Sequence, residues 1–135
     1  MRLLTRAPGS EEDSAAVSTV STGPDAEWLT SNAGGSFAMG TIDRRPRRKY
    51  HGLLTVREPG IGEPLNMVAE VEEWFEVGDE TIALHSYNWG NAIEPNGVDY
   101  LTRFEPLPRW TYQLFGLTVT RELWLEDHAD AVWVR

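Results

Sequence analysis

Along residues 65–77, "LNMVAEVEEWFEV", apolar side chains recur at every second position: Leu65, Met67, Ala69 and Val71, then Phe75 and Val77, with Glu73 breaking the series. A period of two puts alternate side chains on opposite faces of a strand, so the run reads as one strand with a bulge beside Trp74. Gly78-Asp79 separates it from "ETIALHSYNW", the two-residue spacing of a tight hairpin. A second hairpin follows, in which Trp110, Tyr112 and Leu114 alternate up to Gly116, and Leu117, Val119, Leu123 and Leu125 alternate after it. Arg121 interrupts that inward series. "DHAD" at 127–130 reads as a turn, and "AVWVR" opens a further strand. No window has the periodicity of an amphipathic helix. Prolines at 46, 59, 64, 95, 106 and 108 fall between the runs or at their edges, where sheet connections tolerate them. The pattern predicts an all-β, antiparallel fold, a β-sandwich. Its last strand is followed by no turn or polar tail, which predicts an exposed edge and an incomplete piece of a larger sandwich domain.

Residues 1–25, rich in Ser, Thr, Glu, Ala and Pro and without periodic apolar positions, are expected to be a disordered leader, with the sandwich over 26–135. The 135-residue length suits one domain, and 41% apolar residues with six Trp can supply its core. Trp28, Trp74, Trp89, Trp110, Trp124 and Trp133 could fill that core or stack on sugar faces; most are expected inside. No Cys is present, so disulfides and thiolate metal sites are excluded, and three scattered His lack the pairing of a zinc-binding helix. No metal and no cofactor is expected. The first residues lack the apolar core of a signal peptide, and no stretch approaches the roughly 18 apolar residues of a membrane span. A soluble, cytoplasmic protein without a membrane partner is the default.

Charge sharpens the picture. Twelve basic residues face 21 acidic ones, a formal charge of −9, which opposes nucleic-acid phosphates at long range. Yet Arg44, Arg45, Arg47, Arg48 and Lys49 crowd into "GTIDRRPRRKYHGLL", residues 40–54. The stretch could grip phosphates with Tyr50 as a stacking face, or be a solvated loop stiffened by Pro46. It could also divide, with Arg44, Arg45 and Arg47 on an exposed loop. Arg48, Lys49, Tyr50 and His51 would then offer hydrogen bonds to sugar hydroxyls or to a carboxylate of an adjoining domain. The residue types leave these readings open. Glu70 and Glu72 share a strand face near Glu73, Glu76, Asp79 and Glu80, and are expected to form a solvated outer face rather than a hydrolytic pair. There is no G-x-S-x-G, and Gly34, Gly35 and Gly40 match no phosphate-binding motif, so turn and bulge roles are expected for them.

The segment "EWLTSNAGGSFAMGTIDRRPRRKYHGLL", residues 27–54, resembles the start of the N-terminal domain of bacterial and archaeal-type glycogen debranching enzymes. The likeness rests on Glu27-Trp28-Leu29, on Asn32 followed by Gly35, on Ala38, Gly40 and Thr41, and on Arg48-Lys49-Tyr50-His51-Gly52-Leu53-Leu54. "YLTRFEPLPRWTYQLFGLTVTRELWL" continues it more weakly. Ser36 stands where the family often has Gly, Lys49 where it often has Arg, and "DRRPR" is more basic than usual. The resemblance implies a glycoside hydrolase that trims α-1,6 branches of glycogen-like glucans, in some members with glucanotransferase activity. It implies an N-terminal β-sandwich longer than this chain, and a catalytic acid and base on a C-terminal α/α barrel. No catalytic residue therefore carries over to these positions. The implied partners are that catalytic domain of the same parent chain and an α-glucan; no nucleic acid is expected. Asn32, Arg48, Lys49, Tyr50 and His51 are the substrate or domain-interface candidates, with a packing role expected for His51 and a solvated loop for Arg44, Arg45 and Arg47. An independent carbohydrate-binding module is the alternative, and a nucleic-acid-binding module the remoter one.

Overall fold

A computed structural model of the chain describes residues 23–135. The strands are β1 (Glu27–Ser31), β2 (Phe37–Thr41), β3 (Gly52–Val56), β4 (Leu65–Val68), β5 (Trp74–Val77), β6 (Glu80–Ala83), β7 (Ser86–Asn88), β8 (Ile93–Asn96), β9 (Leu101–Glu105), β10 (Arg109–Leu114), β11 (Leu117–Leu125) and β12 (Val132–Val134). A 3-10 turn, Gly97–Tyr100, leads into β9. The pairings are antiparallel and build two four-stranded sheets, ordered β1-β2-β3-β4 and β12-β11-β10-β9, and two small hairpins, β5-β6 and β7-β8. The fold is the all-β sandwich that the alternation predicts.

The inward residues of the two large sheets meet. Trp28, Ala38 and Leu53 pack with Trp110, Tyr112, Leu114 and Leu123, joined by Ile82 and Leu84 from the β6 region. Trp28 and Trp110 meet edge to face, centroids 5.4 Å apart, a geometry that aligns the positive ring edge with the negative face. Neither indole N–H is left dry: Trp28 Nε1 donates to Thr41 O at 3.1 Å and Trp110 Nε1 to Ile42 O at 2.9 Å. The last residues of β2 and the start of its loop are thus fixed from below by two core tryptophans.

Local turn chemistry accounts for the hairpins. Gly78 takes φ 64° between β5 and β6, and Phe115 and Gly116 both take positive φ between β10 and β11, as a tight hairpin with right-handed twist requires. The expected single strand over 65–77 is instead two. β4 and β5 belong to different sheets, and in place of a bulge beside Trp74 the chain leaves the strand over residues 69–73. The run 80–89 likewise divides at Leu84-His85 into β6 and β7. The expectation that most tryptophans are core fails: only Trp28 and Trp110 are buried, while Trp74, Trp89, Trp124 and Trp133 are exposed. Of the expected leader, residues 23–25 begin a turn in which Ala26 N donates to Gly23 O, and Asp43 N donates to Pro24 O. Residues 1–22 of it lie outside the described residues.

Gly97 sits where a Cβ would run into the backbone carbonyl of Leu84. Gly97→Ala is expected to cost about 1–3 kcal/mol through forced displacement of that strand end, read as a lower urea midpoint. Gly62→Ala, at a position with open space around it, should leave the midpoint in place. Equal midpoints for the two variants would contradict the packing.

Candidate functional site

The basic stretch lies on the loop between β2 and β3, and its first half turns inward. Asp43 is buried and collects its own neighbours: Thr41 Oγ1 at 2.5 Å, Arg45 N at 3.1 Å, Arg45 Nε at 2.6 Å and Arg47 Nη2 at 2.8 Å. Burial alone would raise the Asp43 pKa, but these donors outweigh it and hold the carboxyl below its ordinary value. Arg44, at φ 59°, sits in the left-handed region that side-chain-bearing residues seldom occupy. That twist sends its guanidinium into the interior rather than into solvent. There Nη2 reaches Glu70 Oε1 at 3.0 Å, Val71 O at 2.9 Å and Glu73 Oε2 at 2.6 Å, while Nη1 reaches Leu84 O at 3.2 Å.

Arg121 of β11 completes the cluster. Its Nε donates to Glu73 Oε1 at 2.7 Å, its Nη2 lies 3.3 Å from Glu70 Oε1, and its guanidinium stands 5.0 Å from the Trp110 ring centre. Both arginine side chains are 3% exposed. Desolvation opposes the Arg44 charge, yet Glu70 and Glu73 overcome it and its pKa is raised. Arg44 is therefore no solvated loop residue, and Glu70 and Glu73 are no outer face. The sequence did hold a signal: Glu73 and Arg121, the two residues that break inward apolar series, are each other's partner. Arg45 is half-buried against Asp43, and Arg47 is the exposed member of the three.

In the second half of the stretch, Arg48 and Lys49 face outward. Arg48 and Lys49 side chains are each 66% exposed. Arg48 pairs with Glu27, Lys49 with Glu63, and Tyr50 donates to Glu63 at 3.2 Å. The hydrogen bond to Glu63 raises the Lys49 pKa. His51 is buried. Its Nδ1 accepts from Arg47 N at 3.1 Å, which leaves the proton on Nε2, 3.3 Å from Glu27 Oε1 but out of line for a hydrogen bond. Glu27, Arg48 and His51 thus form one group. Asn32 stands apart: Nδ2 donates to Glu126 O at 2.7 Å and Ala129 O at 3.0 Å, and Oδ1 accepts from Ser36 N at 2.9 Å, so it clips β1 to the turn before β12. The structure sets Arg48 and His51 around Glu27, sets Lys49 and Tyr50 on Glu63, and leaves Asn32 elsewhere.

A cavity of about 110 Å³ lies between this loop and the ionic cluster, walled by Trp28, Trp110, His51, Tyr87, Arg44 and Arg121. Glu70 also lines it, while Glu73, close by through the shared arginines, does not. Three of their four oxygens are already occupied. Glu70 Oε1 takes Arg44, Arg121 and Val71 N, and each Glu73 oxygen takes one arginine. A hydrolytic pair needs one oxygen to carry a proton to a leaving group and another to face water or the sugar carbon. With a single oxygen left over, carboxylates held on guanidinium forks do not supply both. Among the described residues no group of three or more His, Asp and Glu is placed to hold a metal ion, and no helix is long and apolar enough to cross a membrane.

A protein-family model described as "Glycogen debranching enzyme N terminal" matches residues 26–135. No curated protein and no solved structure matches the chain.

Arg44→Met removes one cation from a buried set and leaves Glu70 and Glu73 undercompensated, with an expected loss of about 3–5 kcal/mol; Arg48→Ala, on the surface, is expected to leave the urea midpoint in place. Similar effects of the two would contradict the division of the loop. The buried His85, close to Trp74 and Tyr87, has its pKa lowered from 6.5 by burial. Below that pH the unfolded chain takes a proton that the folded chain resists, so stability falls as pH drops through it. Urea midpoints between about pH 7.5 and about pH 5.5 should show this decline, and His85→Gln should flatten it; a decline of equal size in the variant would contradict the assignment.

Proposed function

Because the chain belongs to the glycogen debranching enzyme N-terminal family, we propose that it is the non-catalytic β-sandwich wall of a cytoplasmic debranching enzyme. It braces the α/α-barrel catalytic domain of the same parent chain and borders the cleft in which that barrel hydrolyses α-1,6 branches of a glycogen-like glucan. The observation that carries this reading is the state of Glu70 and Glu73: the clustered carboxylates hold Arg44 and Arg121 and are not free for acid–base work. The outward half of the signature, Arg48, Lys49 and Tyr50, supplies charged and aromatic groups for the contact with the barrel or its glucan. The exposed sheet edges and the run of exposed apolar side chains, among them Leu29, Met67, Leu107, Phe115 and Leu117, fit a piece of a larger sandwich over 26–135 that meets further protein. A nucleic-acid role finds little support, since Arg44, Arg45, Arg47, Arg48 and Lys49 all have acidic partners within the chain.

The purified chain is expected to release no glucose from a branched limit dextrin, while binding the separately produced barrel of its parent. Reversing the exposed pair, Arg48→Glu with Lys49→Glu, should weaken that binding about tenfold. Glucose release by the chain alone, abolished in Glu70→Gln, would overturn the reading.

A further inference from the structure

The small hairpin β7-β8 pairs Ser86 with Asn96. The residue after Asn96 is Gly97, the first of the 3-10 turn that leads into β9. Packing demands a glycine there, because a Cβ would run into the Leu84 carbonyl. The chain therefore carries Asn followed directly by Gly, and Asn96-Gly97 is the one such pair in its sequence. That dipeptide has a chemistry of its own. In a flexible chain the backbone nitrogen of glycine, unshielded by a side chain, attacks the side-chain amide carbon of the asparagine before it.

The fold holds the two groups away from that reaction. Gly97 N is buried and donates twice, to His85 O at 3.1 Å and to Ser86 Oγ at 3.0 Å. The nitrogen must shed its proton to attack, and shedding it would strip a donor from two acceptors inside the fold. Asn96 has ψ 77°, which turns its carbonyl oxygen toward Cβ and the Gly97 nitrogen away from it. The attacking atom thus faces away from its target. Asn96 Nδ2 also donates to Asp99 Oδ1 at 2.8 Å, which draws the amide toward the turn. The first two restraints belong to the closed hairpin and vanish when β8 parts from β7.

We propose that Asn96-Gly97 is a modification site gated by the fold, shut in the native chain and open whenever β8 and the 3-10 turn detach. In the open chain Gly97 N gives its proton to hydroxide and bonds to Asn96 Cγ. The Cγ–Nδ2 bond breaks, and Nδ2 leaves as ammonia after taking a proton from water. Water then opens the five-membered imide at either carbonyl, yielding aspartate or an isoaspartyl linkage whose backbone runs through Cβ. No oxidation or reduction is involved. Neither product fits the native seat. The isoaspartyl linkage adds a backbone atom and pushes Gly97 out of register against Leu84. Aspartate sets a second carboxylate beside Asp99, where an amide had donated. A reversible opening of this hairpin becomes a permanent one, and the modified chain records that it has been unfolded.

The 135-residue chain is held at mildly alkaline pH, in buffer or in guanidinium chloride, and the peptide carrying Asn96 is followed by mass spectrometry and isoaspartate assay. Conversion at Asn96 should be at least about tenfold slower in buffer than in denaturant. Ser86→Ala removes one acceptor and should raise the native rate about fivefold without changing the denatured rate. Asp99→Ala, at an exposed position, should raise it about twofold and keeps the comparison available if Ser86→Ala does not fold. On return to buffer, the refolded fraction should fall in step with isoaspartate. Asn96→Gln, which would need a six-membered ring, should keep its yield. Equal rates for wild type in buffer and denaturant, native rates unchanged in both variants, or an equal loss of refolding in Asn96→Gln would overturn the proposal.

Discussion

Arg44 and Arg121 have almost no access to water, and the chain has to neutralise them inside the fold. One guanidinium comes from the loop after β2, the other from β11 in the opposite sheet, and the two carboxylates come from the link between β4 and β5. The cluster therefore ties both sheets and their connection together at one point. Removing an ion from water costs several kcal/mol, and only a complete set of partners offsets it. That requirement explains the path of the chain. Residues 69–73 leave the strand so that Glu70 and Glu73 can reach the arginines, and Arg44 accepts a left-handed backbone so that its side chain points inward. Trp110 closes the arrangement from beneath, with its ring under Arg121 and its N–H on the carbonyl of Ile42.

A consequence for function follows. The most basic segment of an acidic chain is divided by burial into an inner half that holds the sandwich and an outer half that remains at the surface. The inner half absorbs the carboxylates that could otherwise have been read as a hydrolytic pair. What stays outside, Arg48, Lys49 and Tyr50 with their acidic partners Glu27 and Glu63, is suited to contact rather than chemistry. The proposed wall role would need that distribution: rigid within, with polar and aromatic groups on its outer surfaces.

Local features of this fold were legible in the sequence, and distant ones were not. The hairpins around Gly78 and Gly116 announce themselves because a two-residue turn and alternating flanks are set by neighbouring residues. The family signature over 27–54 could be recognised for a similar reason, since its spacing is contiguous. The split of 65–77 into two strands could not be read from its alternation, because it is imposed by Arg44 and Arg121, one before the run and the other 44 residues or more beyond it. Glu73 and Arg121 stood out as flaws in two apolar series; pairing them would have located the cluster, since a lone charge facing a core needs an opposite one. The tryptophans misled in the other direction. Trp74 and Trp89 sit on small hairpins with no layer above them, and Trp124 and Trp133 fall on the outward parity of β11 and β12, so four rings that composition would place inside are at the surface.

The most direct measurement is a double-mutant cycle by urea unfolding across the pair that joins the β4–β5 link to the opposite sheet, using Arg121→Met, Glu73→Gln and the double variant. A coupling energy above about 1.5 kcal/mol is expected for a buried, hydrogen-bonded pair of this kind. Effects that add to within about 0.5 kcal/mol would mean that Glu73 and Arg121 do not hold one another, and would free the carboxylate for the chemistry denied to it here.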